Sequence, residues 1–510
     1  MKIVLAQQNY EIGNFTYNLS KITKAISEAR QMNADLIVFP EMSVCGAFPF
    51  DLLQNQAFKH DTQVALDEIV AESYQIAVVI GCPIYSGNKI YNSAVVIENG
   101  SMVSHQSKKS LSQLESQYFI PGSGKNVIEL KRKRIAICVG NDVPDTKNIS
   151  LAINICSNEF RYGTKSQELS YQGCGFHVIS LNQCGANTEA IYKGHSFVTN
   201  SVGKRIVQLP YFEESLVVYE TEKTYTSIDE EQKQDISVLH DALVLGIRDF
   251  FAKNKFKNAV LGLSGGIDSA VVLSLAVEAL GNQNVRVLLL PSEFSSSHSV
   301  TDAEALAHNL GVEYSIISIK GVYDSSLDAL ASLFKQLPFS TAEENLQARI
   351  RGLLLMAVSN KFGNILLNTS NKSEIAVGYG TLYGDTTGSL SVLGDVYKTD
   401  VFKLAHYINR KKEVIPISIL TKAPSAELHH GQKDSDSIPE YDVLDKILFH
   451  YIEGGKTVEE LCDMGFLQEK VMQVVSLIKK NEYKRHQACP VLRVSSKAFS
   501  DMKIPLLAVY

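Results

Sequence analysis

An apolar run, Asn258-Ala259-Val260-Leu261-Gly262-Leu263, passes through Ser264-Gly265-Gly266-Ile267-Asp268-Ser269 straight into a helical pattern that ends near Leu280. No other segment restricts the fold as much. A buried strand feeding a helix through glycines is the opening half of a crossover, which commits the chain around it to a parallel sheet. The glycines let the backbone approach a ligand and turn N–H groups toward it, and the helix N-terminus behind them adds partial positive charge. An anion fits that setting. Ser264 and Ser269 can donate hydroxyl hydrogen bonds, and Asp268 can hold a magnesium ion on a pyrophosphate. The competing reading is a glycine-rich turn without a ligand.

The flanking text extends the pattern. Val285–Leu290, Tyr314–Ile319 and 364–367 read as further strands and Asp302–Leu310 as a helix, so a doubly wound parallel α/β sheet is expected. Leu239, Leu243, Ile247 and Phe250 recur at helical spacing and open this domain. The first half alternates in the same way: Ile3–Ala6, a helix to about Met32, Asp35–Pro40, then runs at 76–80, 93–97, 134–139 and 151–155. Between the halves, Tyr219–Gln234 is nearly devoid of apolar residues and reads as a linker. The expected division is a domain over 1–220, a linker over 221–236 and a domain over 237–510.

Composition excludes several classes. With 45% hydrophobic and 20% charged residues the chain is not disordered, and a formal charge of −6 disfavours bulk attraction to nucleic acid or an anionic membrane. The eight cysteines never form a Cys-x-x-Cys pair, which argues against structural zinc or a disulfide framework and for a reducing compartment. The N-terminal apolar run is too short for a signal peptide, and no window approaches the roughly 18 apolar residues of a membrane span. A soluble, cytoplasmic protein is expected.

Neither Gly-x-x-x-x-Gly-Lys-[Ser/Thr] nor a well-placed dinucleotide fingerprint occurs. Instead Ser-Gly-Gly-x-Asp-Ser after a strand resembles the phosphate loop of the N-type ATP pyrophosphatases, which split ATP between its α and β phosphates. Asn368-Thr369-Ser370-Asn371-Lys372-Ser373-Glu374, running on to Gly384-Asp385, is similar to the signature of the NAD synthetases. So are Glu344–Arg349, Pro291–Ser296, Pro424–Leu428 and Glu482–Arg485. The resemblance implies that the nicotinate carboxylate of deamido-NAD attacks ATP and that ammonia opens the adenylate to NAD+ and AMP. It further implies that Gly262, Leu263, Ser264, Gly265, Gly266, Ile267, Asp268 and Ser269, with Thr369, Lys398 and Ser425, bind ATP. Asp268 and Glu374 would hold magnesium, and Asn345, Glu374, Asp385 and Lys484 would line the deamido-NAD site. Lys398 would meet phosphate and Asp385 would deprotonate ammonium. The polar run Gly431–Ser437 is either a solvated loop or the mobile substrate cover the family places there.

In the first half, Phe39-Pro40-Glu41-Met42-Ser43 resembles the glutamate motif of the nitrilase, or carbon–nitrogen hydrolase, family. Its αββα sandwich is fused N-terminally in the glutamine-dependent NAD synthetases, where Glu, Lys and Cys release ammonia from glutamine. Glu41 matches. Lys108 keeps the family spacing to Leu111, but the Pro-Asn-Tyr expected next is missing, and a surface pair with Lys109 is the alternative. The cysteine motif is broken: aligning Asp142 puts Gly140 under the nucleophile, Asn141 under Glu and Pro144 under Trp. Glycine has no side chain to attack an amide. Using Cys138 would shift the sulfur by two residues, roughly 6.5 Å along a strand, whereas attack tolerates about 1 Å. Cys156 lies on the next strand and Cys184 in a loop, neither with an evident base.

The expectation is therefore an NAD synthetase with a degenerate glutaminase, in which Glu41 and Lys108 are vestigial. It would draw ammonia from solution or from a separate glutaminase and assemble as a homo-oligomer. The enzyme alternative keeps glutamine use through a displaced cysteine. The alternative of another class, a phosphate-loop enzyme that modifies tRNA, needs a basic face that the charge balance does not favour.

Overall fold

The computed structural model describes residues 1–124, 126–146, 148–163, 171–228, 236–335 and 337–507; residues 229–235 of the expected linker fall outside these. The chain divides into two compact units, one carrying the elements up to Glu220 and the other those from Ile236 onward.

The first unit opens with β1 (Lys2–Gln7), α1 (Phe15–Gln31), β2 (Leu36–Val38), α2 (Gln56–Glu72), β3 (Ala77–Ser86), β4 (Lys89–Glu98) and β5 (Ser101–Ser107). It continues with β6 (Val127–Leu130), β7 (Lys133–Val139), β8 (Leu151–Cys156), β9 (His177–Asn182), β10 (Cys184–Asn187), β11 (Ala190–Lys193), β12 (Phe197–Thr199), β13 (Arg205–Gln208) and β14 (Ser215–Glu220). Two six-stranded sheets form, in the orders β14-β1-β2-β3-β4-β5 and β13-β12-β9-β8-β7-β6. Successive side chains of β1 point to opposite faces. Ile3 and Leu5 meet Ile135, Ile137, Ile153 and Ile155 of the other sheet, and Val4 and Ala6 meet the helices. On α1, Ile22, Ala25, Ile26 and Ala29 fall at i, i+3, i+4 and i+7 and form the stripe that covers the first sheet. Cys184 is not in a loop as expected but starts β10, paired with Lys193, because the chain turns into a short hairpin with β11.

The second unit contains α3 (Ile236–Lys253), β15 (Ala259–Gly262), α4 (Ile267–Leu280), β16 (Val285–Leu289), α5 (Ser297–Leu310), β17 (Glu313–Ile316), α6 (Lys320–Phe334) and α7 (Thr341–Phe362). Then come β18 (Ile365–Asn368), α8 (Lys372–Val377), β19 (Leu390–Ser391), α9 (Lys398–Ile408), α10 (Ile417–Thr421) and α11 (Tyr441–Leu448). All pairings in the β17-β16-β15-β18-β19 sheet are parallel. The strand expected to reach Ile319 ends at Ile316, since Ile319 is the buried N-cap from which α6 starts. Val260, Leu288 and Leu366 pack under Tyr323 of α6 and Ile350 of α7. The chain leaves β15 toward β17 and returns to β18 on the other side, so a crevice opens at the carboxyl ends of β15 and β18, where such sheets bind ligands.

Candidate functional site

The loop between β15 and α4 can be built only from glycine at its tightest point. Gly265 has φ +78°, and a Cβ there would lie 2.2 Å from the carbonyl oxygen of Ser299. Gly266 begins α4 without a side-chain cap, and its N–H donates to Ser264 Oγ at 3.2 Å. Ser264 and Ser269 hydroxyls lie 3.2 Å apart. A cleft of about 290 Å³ opens in front, lined by the whole 262–269 segment with Thr369, Glu374, Asp385, Lys398 and Ser425.

Two carboxylates bond one ammonium group, and a third lies close by. Lys398 Nζ donates to Asp268 Oδ2, and to Glu374 Oε1 at 3.3 Å. Asn371 Nδ2 donates to Asp268 Oδ1 at 2.9 Å and caps α8, whose first turn presents Glu374. Asp434, from the 431–437 run, is buried; Tyr441 donates to its Oδ2 at 2.9 Å, while Oδ1 has no partner among the described residues. Burial pushes Glu374 up to about 8 against the pull of Lys398, and raises Asp434. Burial alone would lower Lys398, yet Asp268 and Glu374 outweigh it and hold the ammonium above its ordinary value.

Beyond Glu374, Asp385 stands exposed to the cleft but is ringed by protein, and that desolvation raises its carboxyl; Thr381 N–H donates to its Oδ1 at 2.5 Å. Asn345 is not among the cleft-lining residues and instead accepts from Thr381 Oγ1 at 2.6 Å. Lys484 donates to the carbonyls of Gly378 and Gly380, each at 2.8 Å, beside a smaller hollow that also touches Glu374. Burial lowers Lys484.

In the first unit the residues after β2, β5, β7 and β8 meet at one point. Glu41 Oε1 accepts from Asn92 Nδ2 at 2.6 Å and from Lys108 Nζ at 3.0 Å, and Oε2 accepts from the N–H of Ser157 at 2.8 Å. Lys108, not Lys109, enters the cluster; Lys109 pairs with Asp145 at the surface. Asp142 explains the choice, because its oxygens accept from the N–H groups of Lys109 and Ser110 and fix the lysine loop. Lys108 reaches a second buried carboxylate, Glu115, at 2.5 Å. Gly140 has φ +64°, and a Cβ there would lie 2.5 Å from Lys108 Cε and 2.6 Å from Nζ. Among the described residues, the hydrogen-bond partners of the Glu41 and Lys108 side chains include no thiol. Cys138 accepts from Asn126 Nδ2 at 3.3 Å, and burial pushes its thiol up to about 12. Cys156 contacts the Gly140 carbonyl at 3.7 Å.

Sequence reasoning did not single out Glu115, Asp434, Arg351 or the Lys422–Glu427 pair, all of which border one site or the other. Glu115 sits in a polar stretch and Asp434 in a charged run, where side chains ordinarily face water. The one available signal was position, since both follow at short range from residues already assigned.

The descriptions of two families match the two units: Carbon-nitrogen hydrolase over residues 2–228 and NAD synthase over residues 239–488. The glutamine-dependent NAD(+) synthetase of Synechocystis sp. is 39% identical, with 100% of this chain and 99% of that one covered. That of Acinetobacter baylyi is 38% identical over 99% and 98% of the two chains. A solved glutamine-dependent NAD+ synthetase from Acinetobacter baumannii, in complex with ADP, superposes with a TM-score of 0.77 at 34% identity, covering 99% of this chain and 98% of its own. Similarity of this depth runs through both units in the same order, and the chain belongs to the glutamine-dependent NAD(+) synthetase family.

Proposed function

We propose that this chain amidates deamido-NAD to NAD+ with ATP and takes its nitrogen from free ammonia, because its amidase-like site has lost the glutaminase reaction. The nicotinate carboxylate oxygen attacks the α-phosphorus and pyrophosphate leaves with the bonding pair. Ammonia then adds to the acyl carbon, AMP departs and one proton is released. Charge gathers on phosphate oxygens in the first step, so a positioned cation and donors lower the barrier. Lys398 supplies the cation, with Ser264, Ser269 and the α4 N-terminus as donors, and Thr369 and Ser425 flank the nucleotide. Ammonium must lose a proton before attack, and the raised carboxyl of Asp385 is a better acceptor than an ordinary aspartate. Asn345, Glu374 and Lys484 serve the deamido-NAD side.

Magnesium fits the donors present. Asp268 and Glu374 offer hard oxygen atoms at the phosphate loop, and Asp434 Oδ1, which has no hydrogen-bond partner among the described residues, adds a further oxygen at the same cleft. Asp268 and Glu374 would hold the ion, which would neutralise the departing pyrophosphate. Lys398 bridges these same carboxylates at the edge of the cleft.

One observation carries the loss of glutaminase: the position aligned with the family's nucleophile is Gly140, at φ +64° beside Lys108, with no side chain to attack an amide. Covalent attack then has no nucleophile at that position. In this reading the first unit serves assembly into a homo-oligomer. With ATP, magnesium and deamido-NAD, ammonium should support NAD+ formation and glutamine should remain at background. Equal turnover with glutamine overturns the loss. Gly140→Cys should leave glutamine at background, and full recovery by that single change counts against the reading.

A further inference from the structure

At the lip of the cleft, Glu427 ties two loops together. Its Oε1 accepts from Lys422 Nζ at 2.6 Å, from Ser299 Oγ at 2.8 Å and from Ser296 Oγ at 3.1 Å; Oε2 accepts from the N–H of Ser296 at 3.3 Å. Ser296 is the N-cap of α5, so the carboxylate sits where the helix N-terminus favours negative charge. The anchor has consequences on both sides. Ser299, in the first turn of α5, presses its carbonyl against Gly265 of the phosphate loop, so closely that no Cβ fits between them. Two residues before Glu427 stands Ser425, whose hydroxyl accepts from the N–H of Glu427 at 3.1 Å and donates to Gln432 at 2.6 Å. Glu427 itself holds φ +49°, a backbone cost that a glutamate meets only where its side chain is anchored.

We infer that Glu427 is a positioning residue for the nucleotide: it binds the 422–428 segment to the first turn of α5, so that Ser425 and the phosphate loop form a single wall of the cleft. This rests on the reading of that cleft as the ATP site. Glu427 touches no reacting atom; it acts through Ser296, Ser299 and Lys422. Without its carboxylate the phosphate loop keeps its own bonds between Ser264 and Ser269 and Ser425 keeps the N–H of residue 427, while the segment that carries Ser425 loses the bonds from Glu427 to Ser296 and Ser299. The deficit should therefore appear in ATP binding and spare the far end of the cleft.

Steady-state kinetics with ammonium test this in the full chain. Glu427→Ala should raise KM for ATP at least tenfold, with KM for deamido-NAD within twofold and the melting temperature within 2 °C. Glu427→Gln, which keeps the acceptor oxygen for the serine hydroxyls but loses the ion pair with Lys422, should raise KM for ATP about threefold. In the Lys422→Met background, changing Glu427 to Gln should have no further effect. A Glu427→Ala protein with unchanged KM for ATP overturns the inference. So does one in which kcat, both KM values and the melting temperature fall away together, since that marks a merely structural residue. If the unaltered protein releases no AMP from ATP and deamido-NAD, the reading of the cleft fails instead; fluorescent ATP-analogue binding to both proteins then decides on Glu427 alone, equal affinities overturning it.

Discussion

Each unit of this molecule buries a lysine between two carboxylates, and the two arrangements differ in what lies in front of them. Lys108 is held by Glu41 and Glu115, with side-chain exposures of 9%, 1% and 9%; every charge is met from within. Lys398, itself only 3% exposed, is held by Asp268 and Glu374, whose side chains are 18% and 17% exposed and face an open cleft, with a third carboxylate, Asp434, nearby. On the reading proposed above, a closed ion triad has structural work only, because a ligand would have to break a desolvated pair that nothing replaces. An open one holds its charges ready for exchange with phosphate. On that reading a lysine held by two carboxylates serves stability where it is closed, as Lys372 between Asp395 and Glu453 also is, and chemistry where it opens on the cleft.

The comparison breaks if the two lysines respond alike. Lys108→Met strands two buried carboxylates and should destabilise the first unit by about 3–5 kcal/mol, read by hydrogen exchange at the amides of β7 and β8, while ammonium-supported NAD+ formation by the folded fraction persists. A stable variant that has lost activity would show that the closed cluster takes part in the reaction. Lys398→Met should do the reverse, lowering AMP release about 10²–10³-fold with little change in stability, because the carboxylates it leaves can be hydrated from the cleft.

The smallest expected effect is a contrast in pH response. In the second unit, bonds from Asp241 and Glu278 outweigh burial and raise His240 to about 9. Its folded form binds the extra proton, so that contribution is complete below about 6.5 and is lost as pH rises through about 9. In the first unit burial lowers His105 and His177, so their contribution is present above about 6.5 and is lost as pH falls. Hydrogen exchange between pH 5.5 and 9.5 should find the first unit loosening on the acid side and α3 on the alkaline side. Removing the second trend with His240→Gln would tie it to that residue.

Much of this was legible before any coordinates. The Ser264–Ser269 loop needs no distant partner to announce itself, since a strand, two glycines and a helix start are consecutive in the chain. The alternation of β1 and the stripe of α1 are likewise local, and so is the glycine at 140 where a cysteine belongs. Glu115 and Asp434 were not legible, because a carboxylate in a polar stretch is read as solvated until another part of the chain covers it. Asn345, placed by resemblance on deamido-NAD, accepts from Thr381, a partner that its place in α7 did not announce.

By itself, then, the sequence determined the kinds of layer, the glycine loop between β15 and α4 and the glycine at 140, all properties of neighbouring residues and of backbone freedom. Only the tertiary structure decided which charges meet. It brought Lys108 from the end of β5 onto the space above Gly140, and Glu427 from a surface-like loop onto the first turn of α5. The reason is range: backbone preference acts over a few residues, whereas an ion pair depends on where the fold excludes water, and that is settled by packing between segments far apart in the chain.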